Sequence, residues 1–449
     1  MVVAGLGLLV GCLEQHPGWL GVDVQADGGG DGDGDLGDGD GDLGDGDGDP
    51  SGDGDPSGDG DPSGDGDPSG DGDPSGDGDP SGDGDPSGDG DGDPNAEACG
   101  QACPWLDAAF ARRNRYRISG DDIAATISAF PVLVQLDPSH FDYAAAAAEG
   151  GDLRFFDAQG ASIPFEIEAW NDGGVSTVWV QLPALGQGQD LEFWAYYANP
   201  NPSVAAPPTH VWEAYYQGVY HLGGVEDSTE NANHGVNAGA VASPGPVASG
   251  RSFAGNGERV TMPAGTLAVL DSLTVSAFVR YDGFDVDPNS NTLVMFAGTG
   301  NNSGSNVLYR VEYTPSTTPD PADHGLWIVW EWGNNNAQLV KSNQPPMALE
   351  DGDWHYITLV RDTLANTVTY YVDGSALGGA KAYSADPSGG TDGELALGAN
   401  PRQPGALNLF GALDEVRVAA TARSWEYVAL DHKSVRDTLL TYDPVELVP

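Results

Sequence analysis

The chain has 449 residues and a formal net charge of −52, with 69 acidic residues against 17 Lys and Arg. Of those acids 29 fall in residues 1–111, where there is no Lys or Arg at all. Nucleic-acid backbones and anionic lipid surfaces are therefore excluded as partners, because both are held by clustered Lys and Arg.

The chain opens with "MVVAGLGLLVGC", an apolar run too short to span a bilayer. Its end resembles the lipobox of a bacterial lipoprotein signal peptide, which implies cleavage before Cys12 and acylation of that residue. The usual basic segment is missing, which implies a start codon placed too far downstream. Residues 1–12 are thus expected to be a signal peptide. The lipid bilayer is expected to be contacted only through the acyl chain, and the expected location is the bacterial cell envelope, on the outer-membrane surface.

Residues 13–98 form an Asp/Gly/Pro/Ser linker whose second half repeats "DPSGDG". From Asp27 to Pro94 it has nothing apolar to bury apart from Leu36 and Leu43, so backbone ordering has no compensating gain, and the segment is expected to be disordered. EF-hand loops need a terminal Glu and flanking helices, and calcium-binding β-rolls need an apolar residue per turn. The linker has neither. A neutral flexible chain from Asp27 to Pro94 would span about 45 Å, and charge repulsion extends it further. "CGQAC" follows, with Cys99 and Cys103 close enough in sequence for one helical turn to bring them to bridging distance. A disulfide is expected in an oxidising compartment.

Residues 104–222 read as a first β-sandwich. "PVLVQLD" alternates Val132, Val134 and Leu136 against Leu133 and Gln135. "TVWVQLP" alternates Val178, Val180 and Leu182 against Thr177, Trp179 and Gln181. Such period-two runs between Gly, Pro and Asp punctuation are strand signals. "YAAAAAE" predicts a short helix over 143–149, stopped by Gly150. "FEIEAW" places Glu166 and Glu168 on one face of a strand, the minimum pair for glycoside hydrolysis. The expectation is an exposed polar face opposite Phe165 and Ile167. Trp170, Trp179 and Trp194 are expected to pack in the core or at an edge.

Residues 223–445 continue as a second all-β unit. "LTVSAFVRY" alternates cleanly, and Asp373-Gly374 is a hairpin-turn signal. In "LWIVWEWG", Trp330 and Trp332 share a face with Leu326 and Ile328, while Trp327 falls opposite and is the expected sugar-stacking residue. In "GALDEVRV", Asp414 is in phase with Ala412, Val416 and Val418, so its carboxylate is expected on the inner face. An inward carboxylate needs a partner, either backbone N–H groups or a metal. With Asp227 and Asn231 of "EDSTENANHG", Asp414 forms the candidate Ca²⁺ set, oxygen ligands from a turn.

In combination these segments resemble known families. "FPVLVQLD", "GGDLRFFDAQGASIPFEIEAW", "VWVQLPAL" and "FWAYYANPNP" resemble the bacterial domain of unknown function 2341. "SFAGNGERVTMP", "DGDWHYITLVRD", "LALGANP" and "FGALDEVRVAATARSWEYV" resemble the laminin-G-like, concanavalin-A-like jelly roll. The first resemblance implies an envelope protein and no particular reaction. The second implies a β-sandwich that binds carbohydrate or protein, often with a structural calcium. The glucanases of that fold carry a Glu-x-Asp-x-x-Glu strand, which is lacking here, so no enzyme is expected.

The expectation is an all-β protein, two consecutive β-sandwich or jelly-roll domains after a disordered acidic linker. Its partner is an extracellular glycan or surface protein, bound without catalysis. An envelope-polysaccharide hydrolase and a passive structural envelope protein are the alternatives.

Overall fold

A computed structural model describes residues 105–266, 272–283, 292–298, 307–315, 324–332, 336–342, 348–387, 393–402 and 407–449. The expectations for Cys12, for the linker and for Cys99 and Cys103 lie outside the described residues. No helix among the described residues is long and apolar enough to cross a membrane.

Among the described residues the protein is all-β apart from short helical segments. The alternation in the first domain produces two facing antiparallel sheets. One runs Arg112–Ile118, Leu191–Tyr197, Arg154–Asp157 and Ser162–Ile163 in spatial order. The other runs Ile127–Leu136, Ser176–Leu185 and Phe165–Ala169. Val132, Val134, Leu136, Val178, Val180 and Leu182 all enter one core with Tyr116, Phe155 and Phe193. The period-two reading of both strands therefore holds.

The second domain is a jelly-roll-like sandwich of a nine-stranded and a seven-stranded sheet. Val275, Ala277, Val279 and Tyr281 of the Leu273–Tyr281 strand face Ile328 and Trp330 of the Gly325–Trp332 strand in a single core. Asp373 and Gly374 form the turn between Thr367–Val372 and Ser375–Ala376. Both have positive φ, 48° and 72°, as a tight hairpin turn of primed type requires.

Pairing crosses the boundary expected at 222/223. The strand Tyr216–Tyr220 pairs with Phe410–Ala419 inside the nine-stranded sheet. In the other direction, Thr441–Tyr442 and Glu446–Leu447 pair with Arg112–Ile118 and complete the first domain's sheet. Each domain thus donates strand to the other. Between them lies an aromatic layer in which Leu133, Trp179, Trp212 and Tyr216 meet Phe278, Tyr356 and Ala419. Residues on the outer faces of two sheets are thereby buried.

The helix Trp425–Val435 wedges into the same junction. Ser424 caps it, accepting from the N–H of Tyr427, and His432 and Lys433 sit in its last turn, where the helix dipole favours cations. Tyr427 and Leu430 enter the first domain's core, and Val428 packs on Val360 and Tyr371 of the second.

The helix expected over 143–149 does not form. Only a single 3-10 turn, Ala148–Gly150, appears there. A short oligo-alanine run is marginal as a helix, and tertiary bonds overrule it. The Tyr143 hydroxyl donates to the carbonyl of Leu136, and the N–H of Ala147 donates to Asp152.

Candidate functional site

Three chain segments meet where the domains join. On Phe165–Ala169, Glu166 and Glu168 lie one strand period apart, while Phe165 and Ile167 point to the first domain's core. His221 directly follows Tyr216–Tyr220, whose register sets Tyr220 opposite Val416. This brings the imidazole beside Glu415.

Glu415 sits at a β-bulge. On the neighbouring strand Ser276 faces Arg417 but Phe278 faces Asp414, so one extra residue is inserted. Glu415 takes a left-handed backbone, φ 50°. The bulge breaks the alternation read from the sequence. Leu413, Val416 and Val418 are core residues, and Asp414, expected in phase with Val416 and Val418, pairs instead with Phe278, which packs in the junction and not in that core.

The resulting network is dense. His221 Nδ1 lies 2.6 Å from Glu415 Oε1 and 3.6 Å from Glu168 Oε2, and Nε2 lies 3.5 Å from Glu166 Oε2. Trp212 Nε1 donates to Glu166 Oε2 at 2.7 Å, and Ser228 Oγ donates to Oε1 at 2.7 Å. Trp179 Nε1 donates to Glu168 Oε2 at 2.9 Å. Arg417 donates from Nη2 to Glu415 Oε2 at 2.7 Å and from Nη1 to Asp431 Oδ1 at 3.0 Å. Its guanidinium lies 4.3 Å from the Trp179 ring centroid and 5.2 Å from that of Trp212.

Charge states differ sharply within this space. Burial pushes the Glu168 carboxyl up to about 8 against the pull of His221, with Glu415 and Glu166 adding to the rise. Burial also opposes charge on Glu166, but the hydrogen bond and charge of His221, with the hydrogen bonds from Ser228 and Trp212, together outweigh it and hold that carboxyl below its ordinary value. Burial would lower His221, yet Glu415 and Glu168 together raise it well above the ordinary imidazole value. Asp414 is raised well above the carboxylate range, first by burial and then by the charge of Glu415.

Glu166, Glu168 and His221 open onto a cleft of about 410 Å³. Leu222, Gly223, Gly224, Glu226, Ala242 and Ser249 are among its other walls. The expectation that Glu166 and Glu168 form an exposed polar face is corrected. Their side chains are only 15% and 7% exposed, because the second domain covers this sheet.

The candidate calcium residues fall in two separate places, Asp227 and Asn231 in the loop after Tyr216–Tyr220 and Asp414 in the strand Phe410–Ala419. Asp227 is buried, and its Oδ1 accepts from the N–H groups of Val219 and Thr229. Its Oδ2 accepts from Thr229 Oγ1 and the N–H of Asn233. All four acceptor positions are filled by donors, which does not fit a metal ligand. Asn231 donates from Nδ2 to the carbonyls of Tyr216 and Gln217. Asp414 accepts from the N–H of Val247 and of Glu415. Backbone N–H groups, one of the two partners considered for this carboxyl, reach both of its oxygens. His234 accepts from the N–H of Asp227 at 3.1 Å, as a loop residue.

Trp327 is corrected as well. It is 7% exposed, with Lys341 Nζ 4.0 Å from its ring centroid, and presents no free stacking face. Trp194 is buried beside Phe110, and Trp170 packs edge-on against Tyr143. His221, Glu415 and Arg417 were not singled out as site residues from the sequence. The one available signal was three charged residues in or beside strands otherwise rich in apolar residues.

Residues 254–429 match the concanavalin A-like lectin/glucanases superfamily, and residues 149–229 match the domain of unknown function DUF2341. Along the chain the DUF2341 match therefore precedes the concanavalin A-like match. No curated protein matches it. Among solved structures it is similar to domain 4 of AbnA, a GH43 extracellular arabinanase from Geobacillus stearothermophilus, in complex with arabinotriose. That similarity has 18% identity and a TM-score of 0.38, covering 49% of this chain and 99% of that one. The binding domain of Paraclostridial Mosquitocidal Protein 1 is similar at 12% identity and a TM-score of 0.39, covering 49% and 52%. The botulinum neurotoxin serotype D/C VPI 5993 binding domain is similar at 10% identity and a TM-score of 0.36, covering 49% and 52%.

Proposed function

We propose that the folded region is a non-catalytic binding module for an extracellular glycan or surface protein, held at the cell envelope through an acylated Cys12 and the acidic linker. The observation that carries this reading is the junction cleft, an open concavity of about 410 Å³ walled by both domains. Its walls carry Glu166, Glu168 and Glu226 together with the Ser228 hydroxyl. Acceptor-rich walls favour a ligand with many hydroxyl or amino donors over an anionic polysaccharide.

A glycan array probed with the full chain tests the reading, with and without EDTA. Ala242→Trp, which places an indole on the cleft wall, is expected to abolish whatever binding the native chain shows. Binding that survives Ala242→Trp unchanged removes the cleft from the reading. Mass spectrometry of the mature N-terminus tests the anchor, with a diacylglyceryl Cys12 expected.

The pair Glu166 and Glu168 on a cleft wall favours a second reading, hydrolysis of an envelope polysaccharide. Release of reducing ends that is lost in Glu166→Gln would replace the first reading with this one.

A further inference from the structure

We propose that Glu168, His221 and Glu415 form a binding site for a zinc-class divalent cation at the wall of the junction cleft. The inference goes beyond the binding reading and stands without it.

One donor atom from each of these residues lies within 4.8 Å of the others. The three residues come from three separate segments, so only the docked domains assemble the set. An imidazole nitrogen with two carboxylate oxygens suits Zn²⁺ and its first-row neighbours, whereas Ca²⁺ takes oxygen ligands alone. Bond lengths of about 2.0–2.2 Å to a tetrahedral ion place ligand atoms roughly 3.4 Å apart. His221 Nδ1 and Glu168 Oε2 already stand at 3.6 Å. His221 Nδ1 and Glu415 Oε1, at 2.6 Å, share a proton that the ion would displace.

The outer layer is what distinguishes this set from a chance cluster. Metal-bound imidazoles usually give their other N–H to a carboxylate. Here Nε2 faces Glu166 at 3.5 Å, and Glu166 is itself fixed by Trp212 and Ser228. Glu415 is oriented by Arg417, and Glu168 by Trp179. Every ligand of the set thus has a partner behind it. Glu168 and His221 line the open cleft, which gives the ion a path in and leaves its fourth position toward the cleft.

The same arrangement describes the chemistry of loading. The ion replaces the proton between His221 Nδ1 and Glu415, which leaves through the cleft to solvent, and Arg417, balanced by Asp431, keeps the surroundings from accumulating negative charge.

The test uses the full chain with excess Mg²⁺ to saturate the acidic residues of 1–111. After Zn²⁺ loading and desalting, one zinc per chain is expected in the native protein and none in Glu168→Gln or His221→Gln. Co²⁺ is expected to give an intense visible band, which an octahedral ion on scattered carboxylates does not give. Glu166→Gln, which among the three proposed ligands meets the outer nitrogen of His221, is expected to weaken Co²⁺ binding by about tenfold or more. A native chain that retains no zinc overturns the proposal. So does equal retention in Glu168→Gln with an unchanged near-ultraviolet circular dichroism spectrum. Neither result depends on whether a glycan binds.

Discussion

Two histidine–carboxylate pairs in this molecule have nearly the same geometry and opposite settings. His221 Nδ1 stands 2.6 Å from Glu415, and His355 Nδ1 stands 2.7 Å from Asp373. The first lies in the domain junction, with Glu415 wholly enclosed. The second sits at the hairpin turn of Asp373-Gly374, where the Asp373 side chain is 35% exposed and Arg436 and Asp351 approach from the sides. Around His221 charges are held by one another. The two imidazoles are about equally covered, but water reaches Asp373 and not Glu415, so the second pair is screened and worth less.

The sharpest way to break this comparison is to remove the junction's arginine. Arg417→Leu strands Glu415 and Asp431 in a buried space, and a loss of about 3–5 kcal/mol is expected in urea denaturation. A loss below about 1 kcal/mol would mean that water already reaches the junction. The next test sets the two histidines side by side in EDTA. His221→Gln is expected to cost about 2–3 kcal/mol, because its carboxylates stay buried with one donor fewer. His355→Gln is expected to cost less than about 1 kcal/mol. Equal costs would erase the distinction.

Acidity sharpens the comparison further. The hydrogen bond to Asp373 raises His355 above its ordinary value of 6.5, so its contribution is complete below that value and fades as pH rises through the folded-state value. Burial opposes charge on Asp373, but His355 and the N–H of Tyr356 hold it well below its ordinary 3.8. Its contribution is present above 3.8 and fades as pH falls through the lower folded-state value. The half-buried pair therefore supports the fold most between pH 3.8 and 6.5. The midpoint difference between native and His355→Gln proteins is expected to be largest in that window and to shrink above it. The smallest effect expected is that of salt. In 1 M NaCl the cost of His355→Gln is expected to fall toward zero, while that of Arg417→Leu persists, since screening acts on exposed charges.

Much of the scaffold follows from local pattern. Val132, Val134 and Leu136 face one core because a strand alternates with period two, and nothing distant is needed to say so. Asp373 and Gly374 turn the chain because both tolerate positive φ in a two-residue hairpin. The segment-by-segment resemblance carried the order of the two domains. Local pattern failed in two instructive places. Five alanines suggested a helix that Tyr143 and Asp152 pull into turns, and strict alternation put Asp414 in phase with the core across a bulge that shifts it out.

The sequence by itself determined an all-β chain of two domains behind an acidic leader, because strand alternation, turn residues and the absence of apolar residues are properties of neighbours along the chain. Only the tertiary structure decided that the outer faces of two sheets are not surfaces at all. His221 and Glu415 are 194 positions apart, and their meeting depends on the pairing of Tyr216–Tyr220 with Phe410–Ala419. That pairing, a bulge at Glu415 and the closure of one domain over the other convert three scattered polar residues into a buried, charge-linked site.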